Sequence, residues 1–158
     1  MTVLDIGANI GYYALMELGL IGDSGKLITV EPSPKNIEIF KMNLELNSKS
    51  GIRVIEGAVS DKSEKKDFHP AEQGNLNTFH ATGTGLKHLT GEVVEVNSYT
   101  VPQVMEGEGQ LDLIRMDVEG HECEIISGML KYIENGYFKP HICFEPHITS
   151  YSKNNKFS

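Results

Sequence analysis

The sequence predicts an α/β domain with a doubly wound, mostly parallel sheet and helices on both faces. Three observations predict it. Short aliphatic runs alternate with longer stretches of helical period. A Gly-rich turn joins the first run directly to the first helix, and an acid closes three later runs, at Glu31, Asp117 and Glu145. Strands alternating with helices connect by right-handed crossovers, which builds a parallel sheet and gathers its strand ends on one rim.

Each element follows from its local pattern. Val3-Leu4-Asp5-Ile6 reads as a buried strand ending at about Ile6, followed by the loop Gly7-Ala8-Asn9 and a helix over 10–20. That helix is apolar nearly all round (Tyr13, Ala14, Leu15, Met16, Leu18), which predicts that it is well buried. Gly22-Asp23-Ser24-Gly25 is a turn, and 26–30 is a second strand that stops at Glu31. Pro32 blocks continuation, Ser33 is a good N-cap and Pro34 suits a first helical turn, so a helix runs over 34–46. Ile37, Phe40 and Leu44 share its stripe, and Asn47 ends it.

A third strand covers 52–55. The segment 62–90, polar and rich in Gly, Asn and Thr, reads as loop with at most one irregular strand at 78–81. Lys62, Lys65 and Lys66 interleave with Asp61, Glu64 and Asp67, the pattern of a solvated turn. Residues 92–96 alternate as a strand outside the parallel core, and 101–106 suit a short helix. The run 111–116 is the next core strand, ending at Asp117. A helix over 121–135 follows, with Ile125, Met129, Tyr132 and Ile133 inward and Gly136 as its stop. The fifth core strand, 141–144, ends at Glu145-Pro146-His147. One domain over 1–147 with a loose polar tail over 148–158 is the expected organisation.

Composition narrows the function. A net charge of −8 without a basic cluster argues against a nucleic-acid backbone as partner. No apolar run approaches the ~18 residues of a membrane span, and the N-terminus reads as strand rather than signal peptide. Cys123 and Cys143 form no CxxC pattern, so a reducing cytoplasm is the expected compartment.

The first loop selects further. Dinucleotide enzymes use G-x-G-x-x-G, and triphosphate loops require a Lys followed by Ser or Thr. Gly7-Ala8-Asn9-Ile10-Gly11 is neither. It fits Asp-x-Gly-x-Gly-x-Gly with Asn9 in place of the middle glycine, and Asn tolerates the positive φ of such a turn. Gly7 and Gly11 keep side chains away from a ligand lying on the loop. Asp5 can orient the loop amides or accept a hydrogen bond from a ligand ammonium. Glu31, 20 residues past Gly11, stands where an acid accepts hydrogen bonds from ribose hydroxyls. The plain alternative for Glu31 is a surface acid before a Pro turn.

With Asp5, Gly7, Gly11 and Glu31 in place, the chain resembles the class I S-adenosylmethionine-dependent methyltransferases, and within them the FkbM-type family. The matching pieces are the run from Val3 to Tyr12, Val30-Glu31-Pro32, Asn43, Gly57-Ala58-Val59-Ser60, Ile114-Arg115-Met116-Asp117-Val118-Glu119-Gly120-His121-Glu122, Gly128, and the segment 140–147. The resemblance implies a Rossmann-like class I methyltransferase fold and S-adenosylmethionine as cofactor. The candidate binding residues are Asp5, Gly7, Ala8, Asn9, Gly11, Glu31, Pro32, Ala58, Val59 and Asp117. Ala58 and Val59 would flank the adenine, with Asp61 either beside them or simply a turn residue, and Asp117 would touch the methionine end. The family implies methyl transfer to a hydroxyl of a sugar or other small-molecule acceptor. His121 is the first candidate for general base, with Asp117 and Glu119 beside it in the catalytic set. Helix capping or surface exposure is the alternative for His121.

Asp117, Glu119, His121, Glu145 and His147 include metal-ligating types, but the resemblance does not call for a metal and none is expected. His69, His80, His88 and His141 show no ligand spacing. Class I members carry a sixth and a seventh strand after the fifth, and 148–158 is too short and too polar for both. A truncated or minimal catalytic core is therefore expected, with a partner chain in a homo-oligomer, or the tail, covering the exposed fifth-strand edge. Competing functions are a non-catalytic cofactor-binding module and, from the fold alone, a nicotinamide-dependent oxidoreductase.

Overall fold

The computed structural model describes residues 1–71, 77–79 and 89–147. Its centre is a parallel sheet of five strands: β1 (Thr2–Ile6), β2 (Lys26–Glu31), β3 (Arg53–Glu56), β7 (Leu113–Met116) and β8 (His141–Phe144). Their order across the sheet is β3-β2-β1-β7-β8. All five are core strands that the sequence predicts. Helices α1 (Tyr12–Ile21) and α2 (Pro34–Leu46) pack on one face, α3 (Val101–Val104) and α4 (Glu122–Glu134) on the other.

The alternation of a strand explains the two layers. Val3 and Leu27 join Ala14 and Phe40 on one face. Leu4, Ile6, Ile28, Val30 and Ile114 join Val101, Val104, Ile125 and Met129 on the other. Both faces of β1 are covered and all five of its residues are buried, as a central parallel strand requires. At the far edge, His141, Cys143 and Phe144 of β8 are exposed.

Helix α1 differs from the expectation of a well-buried helix. Only Ala14 is buried, while Tyr12, Tyr13, Met16 and Leu20 are exposed. A helix lying on a sheet covers only one stripe, so an all-apolar composition leaves the outer stripe in solvent. The caps of α2 follow the sequence: Ser33 Oγ accepts from the Asn36 N–H, Pro34 occupies the first turn and Asn47 is the C-cap.

The described part of the crossover between β3 and β7 carries more strand than the sequence suggests. Three further strands, β4 (Ala58–Val59), β5 (Lys65–Phe68) and β6 (Val94–Tyr99), form a small second sheet in the order β4-β6-β5. Lys65 and Lys66, expected in a solvated turn, are ladder residues opposite Asn97 and Val96. Phe68 is the only apolar residue of β5, and the better-patterned β6 supplies its pairing. β6 lies outside the parallel core sheet, as expected, but begins two residues later than predicted. Of the segment 78–81, Thr78 makes a bridge to His69; 80 and 81 lie outside the described residues, as do His80, His88 and the tail 148–158. Among the described residues no helix is long and apolar enough to cross a membrane.

Candidate functional site

Parallel register brings the strand ends together. Ile6 pairs with Val30 and Met116, and Met116 with Phe144, so the residues that follow β1, β2, β7 and β8 share one rim. The rim opens into a cavity floored by Gly7 and Asn9. One wall is Glu31, Pro32, Ala58 and Val59, and the opposite wall is Asp117, Glu119, His121, Glu145 and His147. Phe68, Asn77 and Phe79 from the crossover close a third side.

The loop at the floor is tightly specified. Gly7 has φ 82°, and a Cβ there would meet the Asp117 carbonyl oxygen at 2.1 Å. Gly11 has φ 85°, and a Cβ there would meet the buried Phe40 ring at 2.0 Å. Asn9, at φ 52°, adopts the left-handed turn that its residue type tolerates. The Val30 carbonyl accepts from the Gly7 N–H at 2.9 Å and the Ala8 N–H at 3.2 Å. Asn43 Nδ2 donates to the Ile10 carbonyl at 2.8 Å and fixes the loop's exit.

Glu31 is the anchor of the cofactor side. Its side chain is buried, with Oε2 accepting from the Asn9 N–H at 2.9 Å. Oε1 accepts from the Ser33 N–H at 2.9 Å and from Asn36 Nδ2 at 3.2 Å. Burial pushes its carboxyl up to about 6, the three hydrogen bonds opposing and the charge of Asp5 adding. A carboxylate offers about four lone-pair directions, so capacity remains for a ligand hydroxyl. Glu31 is thus no plain surface acid.

Asp5 is not on the cavity wall. It is fully buried, and Arg115, its neighbour across β1 and β7, donates to Asp5 Oδ1 from Nη1 at 3.0 Å. Arg115 Nη2 donates to Asp117 Oδ2 at 3.1 Å, and the guanidinium stacks 4.0 Å from the centre of the Tyr13 ring. Burial raises the Asp5 carboxyl pKa, against the charge and hydrogen bond of Arg115. Beside this pair, burial and then the charge of Asp5 push Glu17 up to about 8. The loop amides are held by Val30 and Glu31, and Asp5 instead anchors the arginine that positions Asp117. Ala8 and Gly11 also lie behind the lining.

On the acceptor side the turn from Asp117 to His121 passes through Glu119 at φ 50° and Gly120 at φ 101°. His121 lines the cavity but is buried, its ring centre 5.0 Å from that of Phe79. Its Nε2 lies 3.0 Å from Ser60 Oγ and its Nδ1 3.7 Å from Glu124 Oε2. It occupies the N-cap position of α4. Both ring nitrogens are turned to protein groups, which suits His121 to shaping the wall. His147 is more open to the cavity, with Nδ1 3.0 Å from Glu122 Oε1 and Nε2 3.5 Å from Glu119 Oε2 and 3.8 Å from Asp117 Oδ1. Burial alone lowers the His147 pKa, but the hydrogen bond to Glu122 and the charges of Glu119, Glu122 and Asp117 outweigh it and raise it. Burial raises the Glu119 carboxyl, opposed by His147 and reinforced by Asp117, Glu122 and Glu145.

The structure therefore brings Gly7, Asn9, Glu31, Pro32, Ala58, Val59, Asp117, Glu119 and His121 of the expected set to one cavity. Sequence reasoning did not find Phe68, Asn77 and Phe79, or the role of Arg115. Phe68 is the one apolar residue of β5, so no hydrophobic alternation marks it. Nothing local marks Phe79 as a wall.

The profile of the methyltransferase FkbM domain family matches residues 5–157. A 2-O-methyltransferase NoeI of Sinorhizobium fredii is 29% identical over 140 residues, covering 80% of this chain and 56% of its own length. A methyltransferase 1 of Beauveria bassiana is 25% identical over 145 residues, covering 80% and 57%. The chain thus spans little more than half of these two relatives. A protein-L-isoaspartate O-methyltransferase of Methanococcoides burtonii is 38% identical over 55 residues, 35% of this chain and 27% of that protein. The crystal structure of a methyltransferase FkbM from Methylobacillus flagellatus superposes with a TM-score of 0.60 at 15% identity, over 89% of this chain and 32% of that one. At that identity the match establishes the fold: Rossmann-like, of the class I kind.

Proposed function

Because the chain belongs to the methyltransferase FkbM domain family, we propose that it binds S-adenosylmethionine in this cavity and transfers its methyl group to a hydroxyl oxygen of a small-molecule acceptor. The observation that carries the reading is Glu31: a buried carboxylate fixed by three donors at the cavity wall, beside the Gly7–Asn9 floor, with acceptor capacity left over. That is the geometry that receives ribose hydroxyls at the switch point of an open parallel sheet. Pro32, Ala58 and Val59 give an apolar edge for a purine, and Asp117, held by Arg115 on the same lining, supports a methionine end lying on that side. Two of the relatives are O-methyltransferases by name, which supports oxygen as the accepting atom. The free cysteines Cys123 and Cys143 support a reducing compartment, the cytoplasm.

Held by Glu31 and the Gly7–Asn9 loop, S-adenosylmethionine would supply an electrophilic methyl carbon for the new C–O bond, with the C–S electron pair going to sulfur and S-adenosylhomocysteine as the leaving product. The chain's part is to align the acceptor oxygen with that carbon and to take the acceptor's proton. Glu119, on the cavity wall, is the proton acceptor in this reading, and the buried His121 and Phe79 form the surface against which the acceptor lies. The test is release of S-adenosylhomocysteine with a panel of hydroxylated acceptors. Glu119→Gln should lower turnover by about 100-fold or more while S-adenosylhomocysteine affinity stays within about threefold. Binding without turnover on any acceptor would leave a cofactor-binding module, and binding of NAD instead would refute the reading.

A further inference from the structure

We propose that Asp117, Glu145 and His147 form a binding site for one divalent cation of the Mn²⁺/Mg²⁺ kind at the acceptor end of the cavity. One ligand atom from each lies within 4.8 Å of the others. Ligands about 2.0–2.1 Å from a shared Mg²⁺ stand no more than about 4.2 Å apart, so side-chain rotations that draw the three atoms together by about half an ångström let them meet on one ion. Two carboxylates and one imidazole are an oxygen-rich set that suits Mn²⁺ and leaves positions open for water or substrate.

Two further observations point to an ion. His147 is held from behind: its Nδ1 lies 3.0 Å from Oε1 of the fully buried Glu122, which directs Nε2 towards Asp117 and Glu119. A carboxylate gripping the far nitrogen is how ligating histidines are oriented, and it fixes the tautomer with Nε2 free to coordinate. Glu122 Oε1 also accepts from the Gly120 N–H at 3.3 Å, and its other oxygen, Oε2, is buried with no hydrogen-bond partner among the described residues, so this carboxylate is held behind His147 at a desolvation cost. Asp117 is likewise divided. Arg115 takes its Oδ2, and Oδ1 faces His147. Asp117, Glu119, Glu122 and Glu145 converge here with Arg115 and His147 as the facing cationic groups, a balance that an added cation completes.

The cation's role rests on the methyl-transfer reading, although its binding does not. Coordinated to the ion, the acceptor hydroxyl would be oriented towards the methyl carbon and its pKa lowered, so that its proton passes more readily to Glu119. The experiment is titration of the full chain with MnCl₂, followed by electron paramagnetic resonance of free Mn²⁺ and by calorimetry, with S-adenosylhomocysteine titrated separately. The expected result is one Mn²⁺ per chain, weakened at least tenfold by His147→Ala and by Glu145→Gln. Glu122→Gln, which keeps all three ligands, should weaken it by about 10-fold or more through His147. His141→Ala, exposed at the start of β8, should leave it unchanged. S-adenosylhomocysteine affinity in Glu145→Gln should stay within threefold, which shows that the site is still folded. Absence of Mn²⁺ binding up to millimolar concentration, or binding undiminished in these variants, overturns the proposal. Mn²⁺ binding without S-adenosylhomocysteine binding would uphold the site and remove the methyl-transfer reading instead.

Discussion

Replacing Arg115 by Met tests the coupling between the sheet interior and the cavity. The guanidinium is the hydrogen-bond partner of Asp5 Oδ1, and Asp5 is fully buried with Oδ2 already lacking a partner among the described residues. Removing one member of a buried pair leaves an uncompensated charge and costs about 3–5 kcal/mol. With a urea m-value of about 2 kcal/mol per molar, typical of a small domain, the midpoint at pH 7 should fall by about 1.5–2.5 M. The penalty should shrink as pH falls, because burial already raises the Asp5 carboxyl and protonating it removes the stranded charge. Asp5→Asn added to Arg115→Met should recover most of the loss, since it removes that charge without changing volume. Urea unfolding followed by circular dichroism measures all three. A loss below about 1 kcal/mol, or a double variant no more stable than Arg115→Met, would refute the assignment of Arg115 as the counterion of a charged Asp5.

Glu31 makes stability depend on pH with a definite sign. Its folded value of about 6 lies above the ordinary 4.5, so between these pH values the folded state holds a proton that the unfolded chain has released. Stability should therefore fall as pH rises through that window, by about 2 kcal/mol in all, and Glu31→Gln should flatten this part of the urea profile. Gly11→Ala combines a positive φ with a clash against Phe40 and should cost at least about 2 kcal/mol; an unfolding free energy within about 0.5 kcal/mol of the parent would contradict the close approach of loop and helix. Glu119→Gln, as above, should separate turnover from cofactor affinity.

The central strands were legible because β1, β2 and β7 are mostly aliphatic on both faces, as a sheet covered on both sides requires. The cofactor half of the cavity was legible for a related reason. Its residues are local to the strand ends, and Gly7, Gly11 and Glu31 each answer a geometric need of the first two turns. What was not legible depends on partners distant in sequence. Arg115 meets Asp5 across 110 positions, and no local pattern announces that pairing. β5 has one buried residue and exists because β6 offers it a ladder. The composition of α1 gave its helical state but not its exposure, since burial is decided by how much sheet lies beneath it. His121 carried the signature of a catalytic base, yet its setting between Ser60, Glu124 and Phe79 is a tertiary fact.

The central claim is that this cavity is a cofactor site read by Glu31. Calorimetric titration of the chain with S-adenosylhomocysteine tests it most directly, with Glu31→Gln and NAD as comparisons. The account predicts a single binding event in the parent chain, weakened about tenfold or more in Glu31→Gln through loss of charged hydrogen bonds, and no heat with NAD. Equal affinity in the parent and Glu31→Gln, or binding of NAD in place of S-adenosylhomocysteine, would contradict it.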